Sequence, residues 1–272
     1  VNPAGQVERM ERVKKNKSPL RYPGGKTRAI PILEKYVENF YPERKILISP
    51  FFGGGSFELH MKSKGYQIHA NDLFKPLYTF WRMLQERRED LTAEIKKCMP
   101  VTKEAFASMR SSICSLEDPL LMATYYFVIN RSSFSGATLC GGFSRQAAEK
   151  RFTTSSVETL GACDLKDISF SNKDCSAILD EISETSSTIV YADPPYYIET
   201  YIYGKDGDMH ESFNHEAFAA TIKKRSDWIV SYNDCSYIRE LYKGCRIFKE
   251  SWAYGMNSSK ESSEIIILPP VS

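Results

Sequence analysis

Apolar and polar residues follow two periods along this chain, and the switches between them mark out an alternating α/β order. Ile30, Leu33, Val37 and Phe40 recur at three- and four-residue steps, a spacing that places side chains on one helix face. Ile46, Leu47 and Ile48 form a short apolar run before "PFFGGGSF" (50–57) and read as a buried strand. Phe57, Leu59 and Met61 enter the next helical stretch, and "YQIHAND" (66–72) is a second strand ending at Asp72. Strand, glycine loop, helix and strand make a βαβ unit, the building block of a doubly wound sheet. Helical patterning returns from Leu73 to Leu91.

The pattern changes over 92–165. "PLLMATYYFVINR" (119–131) reads as a helix, and "SSFSGATLCGGFSRQAAEKRF" (132–152) is rich in Gly, Ser and Arg with little periodicity. The second segment is expected to be a loop or hairpin inserted on the α/β scaffold, where recognition often resides. Beyond 165, "LKDISFS", "STIVYADPPYY", "DWIVSYND", "CRIFKESW" and "SEIIILPP" read as strands, and "SFNHEAFAATIKKR" as a helix with Asn214 as N-cap. The expected architecture is a doubly wound, mostly parallel sheet from 18–91 and 166–272, interrupted by the 92–165 insertion.

Composition narrows this picture. The chain's 272 residues with 42% hydrophobic content suffice for a large core. A net charge of only +2 excludes a polybasic coat protein but not a local basic surface. Residues 1–17, "VNPAGQVERMERVKKNK", form a basic arm that is either solvated or lies on something acidic. The seven cysteines are odd in number and contain no C-x-x-C, so reduced thiols are expected rather than disulfides. Four scattered histidines give no metal site. With no apolar run of bilayer length and no secretory leader, the expected location is the cytoplasm, or the nucleus in a eukaryotic host.

Three stretches carry candidate chemistry. In "FFGGGSF" (51–57), glycines after a first strand allow close approach of a ligand to backbone amides. Asp72 ends the next strand, where a carboxylate typically meets a ribose hydroxyl. The spacing matches neither G-x-G-x-x-G nor a P-loop, which disfavours a nicotinamide oxidoreductase. "RYPGGK" (21–26) is either a plain turn before a helix or a turn that presents Lys26 to an anion. "ADPPYY" (192–197) ends a core strand in a carboxylate, a stiffened backbone and two rings. That is either a Pro-Pro turn or a rigid cradle. In the second case Asp193 and the Pro194 carbonyl accept from an exocyclic amino group, and Tyr196 stacks on a flat base.

In that order, "RYPGGK", "PFFGGGSF" and "ADPPYY" resemble the Dam-type DNA adenine-N6 methyltransferases (D12 class, alpha group) over residues 18 to about 268. The resemblance implies a Rossmann-like methyltransferase sheet carrying a target-recognition insertion, with S-adenosylmethionine as methyl donor and double-stranded DNA as substrate. It implies cofactor contacts at Tyr22, Gly24, Lys26, Pro50, Phe51, Gly53, Gly55, Asp72 and Asp193, and catalysis at Asp193, Pro194, Pro195 and Tyr196. Hydrogen bonds from adenine N6 to Asp193 and the Pro194 carbonyl would free the nitrogen lone pair, on a base flipped out of the duplex. The insertion offers Arg131, Phe134, Arg145, Lys150 and Arg151 for DNA contacts. A cognate restriction enzyme is a further candidate partner. "NRSSFSG" (130–136) and "YGKDGDMHESF" (203–213) depart from the best-known pattern, so the resemblance carries methyl transfer without a target sequence. Cytosine-N4 methylation, an RNA adenine substrate and a catalytically silent DNA-binding subunit are the alternatives, and the Asp of "DPPY" favours adenine.

Overall fold

The structure is a computed structural model that describes residues 16–22, 24–197, 213–253 and 261–271. The basic arm up to residue 15 and the loop 203–212 lie outside the described residues. Strands β1 (Ile46–Ser49), β2 (Gln67–Asn71), β3 (Ile168–Ser171), β4 (Thr188–Ala192), β5 (Trp228–Asn233), β6 (Arg246–Ala253) and β7 (Glu261–Leu268) form one sheet in the order β3-β2-β1-β4-β5-β7-β6. The first five strands run parallel, and β7 pairs antiparallel with both β5 and β6. Strand order reverses between β1 and β4, which opens a crevice at their carboxyl ends where ligands bind in such sheets.

The period-2 alternation of the strands sorts the core onto two faces. Leu47, Ile189, Tyr191 and Ile229 point to one face, and Ile48, Val190, Ala192 and Val230 to the other. The first face is covered by α1 (Ile30–Phe40), α2 (Ser56–Ser63) and α3 (Lys75–Glu86), together with α4 (Arg88–Lys97), α5 (Lys103–Ser112), α6 (Pro119–Ser132) and α8 (Thr154–Ala162). The second is covered by α9 (Cys175–Glu181), α10 (His215–Ile222) and α11 (Ser236–Leu241). The short helix α7 (Arg145–Lys150) completes the insertion.

Most expected elements form where the periodicity puts them, including the Asn214 cap, whose Oδ1 accepts from Ala217 N at 2.9 Å. Two details differ. The stretch 73–91 is two helices broken at Arg87, with no Gly or Pro to announce the break, and α4 continues to Lys97 because Leu91 and Ile95 bury the same face. The expected insertion boundary at 92 therefore falls inside α4. At the other boundary, Asn16 is buried and grips Asp164, donating to its carbonyl at 2.7 Å and accepting from its amide at 3.0 Å. The arm is thus pinned by its residue 16. No helix among the described residues is long and apolar enough to cross a membrane.

Candidate active site

β1 delivers the glycine loop to the crevice. Gly53 and Gly55 hold φ of +51° and +64°, which disfavours any side chain, and Gly55 starts α2. Space is equally restrictive, since a Cβ on Gly55 would lie 2.5 Å from the Phe52 ring and one on Gly54 would lie 2.7 Å from Tyr22 Cβ. Tyr22 thus lies along the loop from outside, with 42% of its surface exposed. Pro50 is buried and its carbonyl accepts from Asn71 Nδ2 at 3.1 Å, while Phe51 packs edge-on against Phe213 and Phe218.

Asp72, just past the end of β2, closes one side of the loop. Its carboxylate accepts from Gly53 N at 2.9 Å and Phe74 N at 3.0 Å. Desolvation pushes its pKa up to about 6, against the lowering effect of those two amides. A carboxyl raised by burial and supplied, among the described residues, by two backbone donors is under-solvated in its charged form. It would gain from further hydroxyl donors.

Asp193 stands at the end of β4, on the other side of β1. Its Oδ1 lies 2.8 Å from the buried Lys26 ammonium and accepts from Ser231 Oγ at 2.9 Å. Lys26 also donates to the Tyr196 hydroxyl at 2.7 Å, and that hydroxyl donates onward to Glu264 at 2.6 Å. Glu264 is 1% exposed on β7. Four side chains from three separate parts of the chain therefore form one relay: Asp193 and Tyr196 of one motif, Lys26 and Glu264. Tyr191 Oη and Ser231 Oγ, 3.2 Å apart, support it from below. Asn233 Nδ2 donates to the Tyr197 carbonyl at 2.9 Å, and the Tyr197 ring stacks on Tyr237 with centroids 4.2 Å apart. The backbone after the two prolines is held on both sides.

The three quoted motifs thus meet at neighbouring strand ends, with Lys26 of "RYPGGK" touching Asp193 of "ADPPYY". Glu264 was missed by sequence reasoning. Its signal was a lone carboxylate in the apolar strand "SEIIIL", which a half-buried alternating reading absorbs as a surface position. Ser231 lay in a stretch that carried no assigned role.

The insertion residues separate into two groups. Phe134 is 70% exposed at the tip of a turn whose Ser135 and Thr138 hold left-handed φ of 54° and 49°. Arg145, Lys150 and Arg151 are exposed on and just after α7, with Arg145 paired to Glu149. Arg131 instead turns inward, donating to the carbonyls of Arg151 at 2.9 Å and Pro19 at 3.3 Å. Burial, then the charges of Arg21 and Arg151, lower its pKa to about 10.

Sequence comparison relates the chain to known proteins. A DNA adenine methylase from Vibrio cholerae serotype O1 is 22% identical over 251 residues, covering 86% of this chain and 88% of its own length. A DNA N-6-adenine-methyltransferase from Escherichia phage P1 is 29% identical over 142 residues, which cover 51% of this chain and 17% of that protein. A family model matches residues 22–256, from the tyrosine on the glycine loop to beyond β6, and the chain belongs to the D12 class N6 adenine-specific DNA methyltransferases.

Proposed function

We propose that this enzyme takes its methyl group from S-adenosylmethionine and places it on N6 of an adenine swung out of duplex DNA into the crevice between β1 and β4. The observation that carries this reading is the pair of strand-end carboxylates flanking one glycine loop, with Asp72 set for hydroxyl donors and Asp193 set beside Tyr196. The residues present fit the donor. Asp72 is the acceptor for a ribose, and the Gly53–Gly55 backbone is too close-packed for side chains there. Tyr22, Gly24, Lys26, Pro50, Phe51 and the edge of Asp193 line the remaining reach. When bound, S-adenosylmethionine supplies an activated sulfonium methyl.

The chain's own residues do the rest. Asp193 and the Pro194 carbonyl accept the two N6 hydrogens, which favours a pyramidal nitrogen with an available lone pair. Lys26 and Ser231 fix the carboxylate through Oδ1. Tyr196, anchored by Lys26 and Glu264, offers its ring face to the extruded base. After transfer the N6 proton passes by way of the Asp193 carboxylate to solvent, so Asp193 need not be a strong base. On the insertion, Phe134 is placed to wedge into the stack the base has left. Arg145, Lys150 and Arg151 face outward toward phosphates or base edges, and Arg131 enters as a brace for the turn.

The test is fluorescence of duplexes carrying 2-aminopurine in place of adenine, titrated with enzyme and S-adenosylmethionine. Enhanced emission at one position of a short recurring site, lost in Phe134→Ala, supports flipping and wedging. No change at any position, with DNA demonstrably bound, contradicts it.

A further inference from the structure

The recognition turn and the segment that lines the cofactor crevice meet at one fully buried side chain, Asn130. Near the end of α6, its Oδ1 accepts from Arg21 N at 3.0 Å and its Nδ2 donates to Arg21 O at 2.6 Å. The amide thus pairs with both backbone groups of one residue, as a neighbouring strand would. From the other side, Gly136 presses on the same residue: at φ +72°, a Cβ there would lie 2.7 Å from both Arg21 Cβ and Arg21 O. The Arg21 guanidinium donates to Ser133 O at 3.2 Å, which ties the base of the 133–138 turn to Arg21 a second time. The next residue, Tyr22, lies on the glycine loop, and Lys26 reaches Asp193.

We propose that Asn130 is a positioning residue that transmits engagement of DNA by the Phe134 turn to the cofactor-lining segment 21–26, so that DNA and methyl donor strengthen each other's binding. This rests on the functional reading above. A differential free energy is needed for such coupling, and the site supplies one. Arg21 and Arg131 are disfavoured as cations here, first by burial and then by the neighbouring charge of Arg151, whose carbonyl Arg131 holds, and a DNA phosphate arriving at this face offsets that cost.

The test is a thermodynamic cycle. S-adenosylhomocysteine, the demethylated product, is titrated into the full chain with and without saturating unmethylated duplex DNA. Wild type is expected to bind it roughly 5–150-fold more tightly with DNA, and by linkage DNA affinity rises by the same factor. In Asn130→Ala that ratio is expected to fall toward one while binding to the free protein changes less than about threefold. Should Asn130→Ala fail to fold by circular dichroism, Gly136→Ala perturbs the same joint from the opposite side and is expected to show the same loss. A ratio in a folded variant equal to that of wild type overturns the proposal. A wild-type ratio of one also overturns it but leaves the functional reading standing. Failure of wild type to bind S-adenosylhomocysteine at all would remove the cofactor reading beneath it.

Discussion

Asp193 and Asp72 are the same residue type at the ends of two strands that flank β1, and they are held in opposite ways. Asp193 is gripped by side chains, the Lys26 ammonium and the Ser231 hydroxyl, drawn from distant parts of the chain. Backbone amides of its own neighbourhood hold Asp72, whose burial raises it to about 6. Side-chain partners can rearrange when a substrate amino group arrives, whereas a backbone cradle shapes a loop and waits for a ligand. On the function proposed above, the difference gives chemistry to one carboxylate and affinity to the other.

Substitutions can break that division. Asp193→Ala is expected to lower single-turnover methylation at saturating donor by roughly a thousandfold or more, with donor affinity changed only a few-fold, because an interaction made in the transition state is lost. Asp193→Asn controls for the buried Lys26 charge left unpaired in the alanine variant. Asp72→Ala is expected to do the converse. Donor dissociation constants measured by calorimetry should rise by about 10–100-fold, the worth of charged hydrogen bonds, with much less effect on the rate at saturation. If both variants lost rate and affinity alike, the comparison would fail.

The pH response sharpens it. Donor affinity is expected to weaken as pH falls through about 6, where Asp72 takes up a proton and loses the charge that strengthens its acceptance. Asp72→Asn should flatten that profile. A smaller effect, on the order of tenfold in rate, is expected for Glu264→Gln, which weakens the acceptor that anchors Tyr196. The measurement is turnover at saturating donor and DNA, and an unchanged rate would remove Glu264 from the relay.

Glu58 supplies a control, read in stability rather than in activity. It is buried beneath the site, accepts from Ser49 Oγ at 2.7 Å, and desolvation raises it from 4.5 to about 7. Its folded pKa exceeds the unfolded one, so the native state holds the proton more tightly. Its contribution to stability is fully present below about pH 4.5 and is lost as pH rises through about 7. Glu58→Gln is therefore expected to change thermal stability little at pH 5 and to raise it at pH 8, by up to about 3 kcal/mol. Equal melting shifts at the two pH values would contradict this.

The glycine loop, Asp72 and Asp193 were legible in the sequence because strand-end chemistry is local: the strand, the turn residues and the carboxylate are contiguous. Glu264, Ser231 and Asn130 were not. Their partners lie 68, 38 and 109 residues away and are brought together by sheet order and by the packing of α6 beside the N-terminal segment. Arg131 shows the same limit from the other direction. An arginine at the end of a helix beside a basic insertion reads as a DNA contact, and its hydrogen bonds to the carbonyls of Pro19 and Arg151 are not visible in the sequence. The break at Arg87 escaped because both helices bury the same face of one core.

The most direct measurement is nucleoside analysis of unmethylated duplex DNA after incubation with methyl-labelled S-adenosylmethionine and the wild-type enzyme. The account predicts label in N6-methyladenine. Label in N4-methylcytosine, or none while the donor binds, would contradict the assignment of the Asp193 cradle to the adenine amino group.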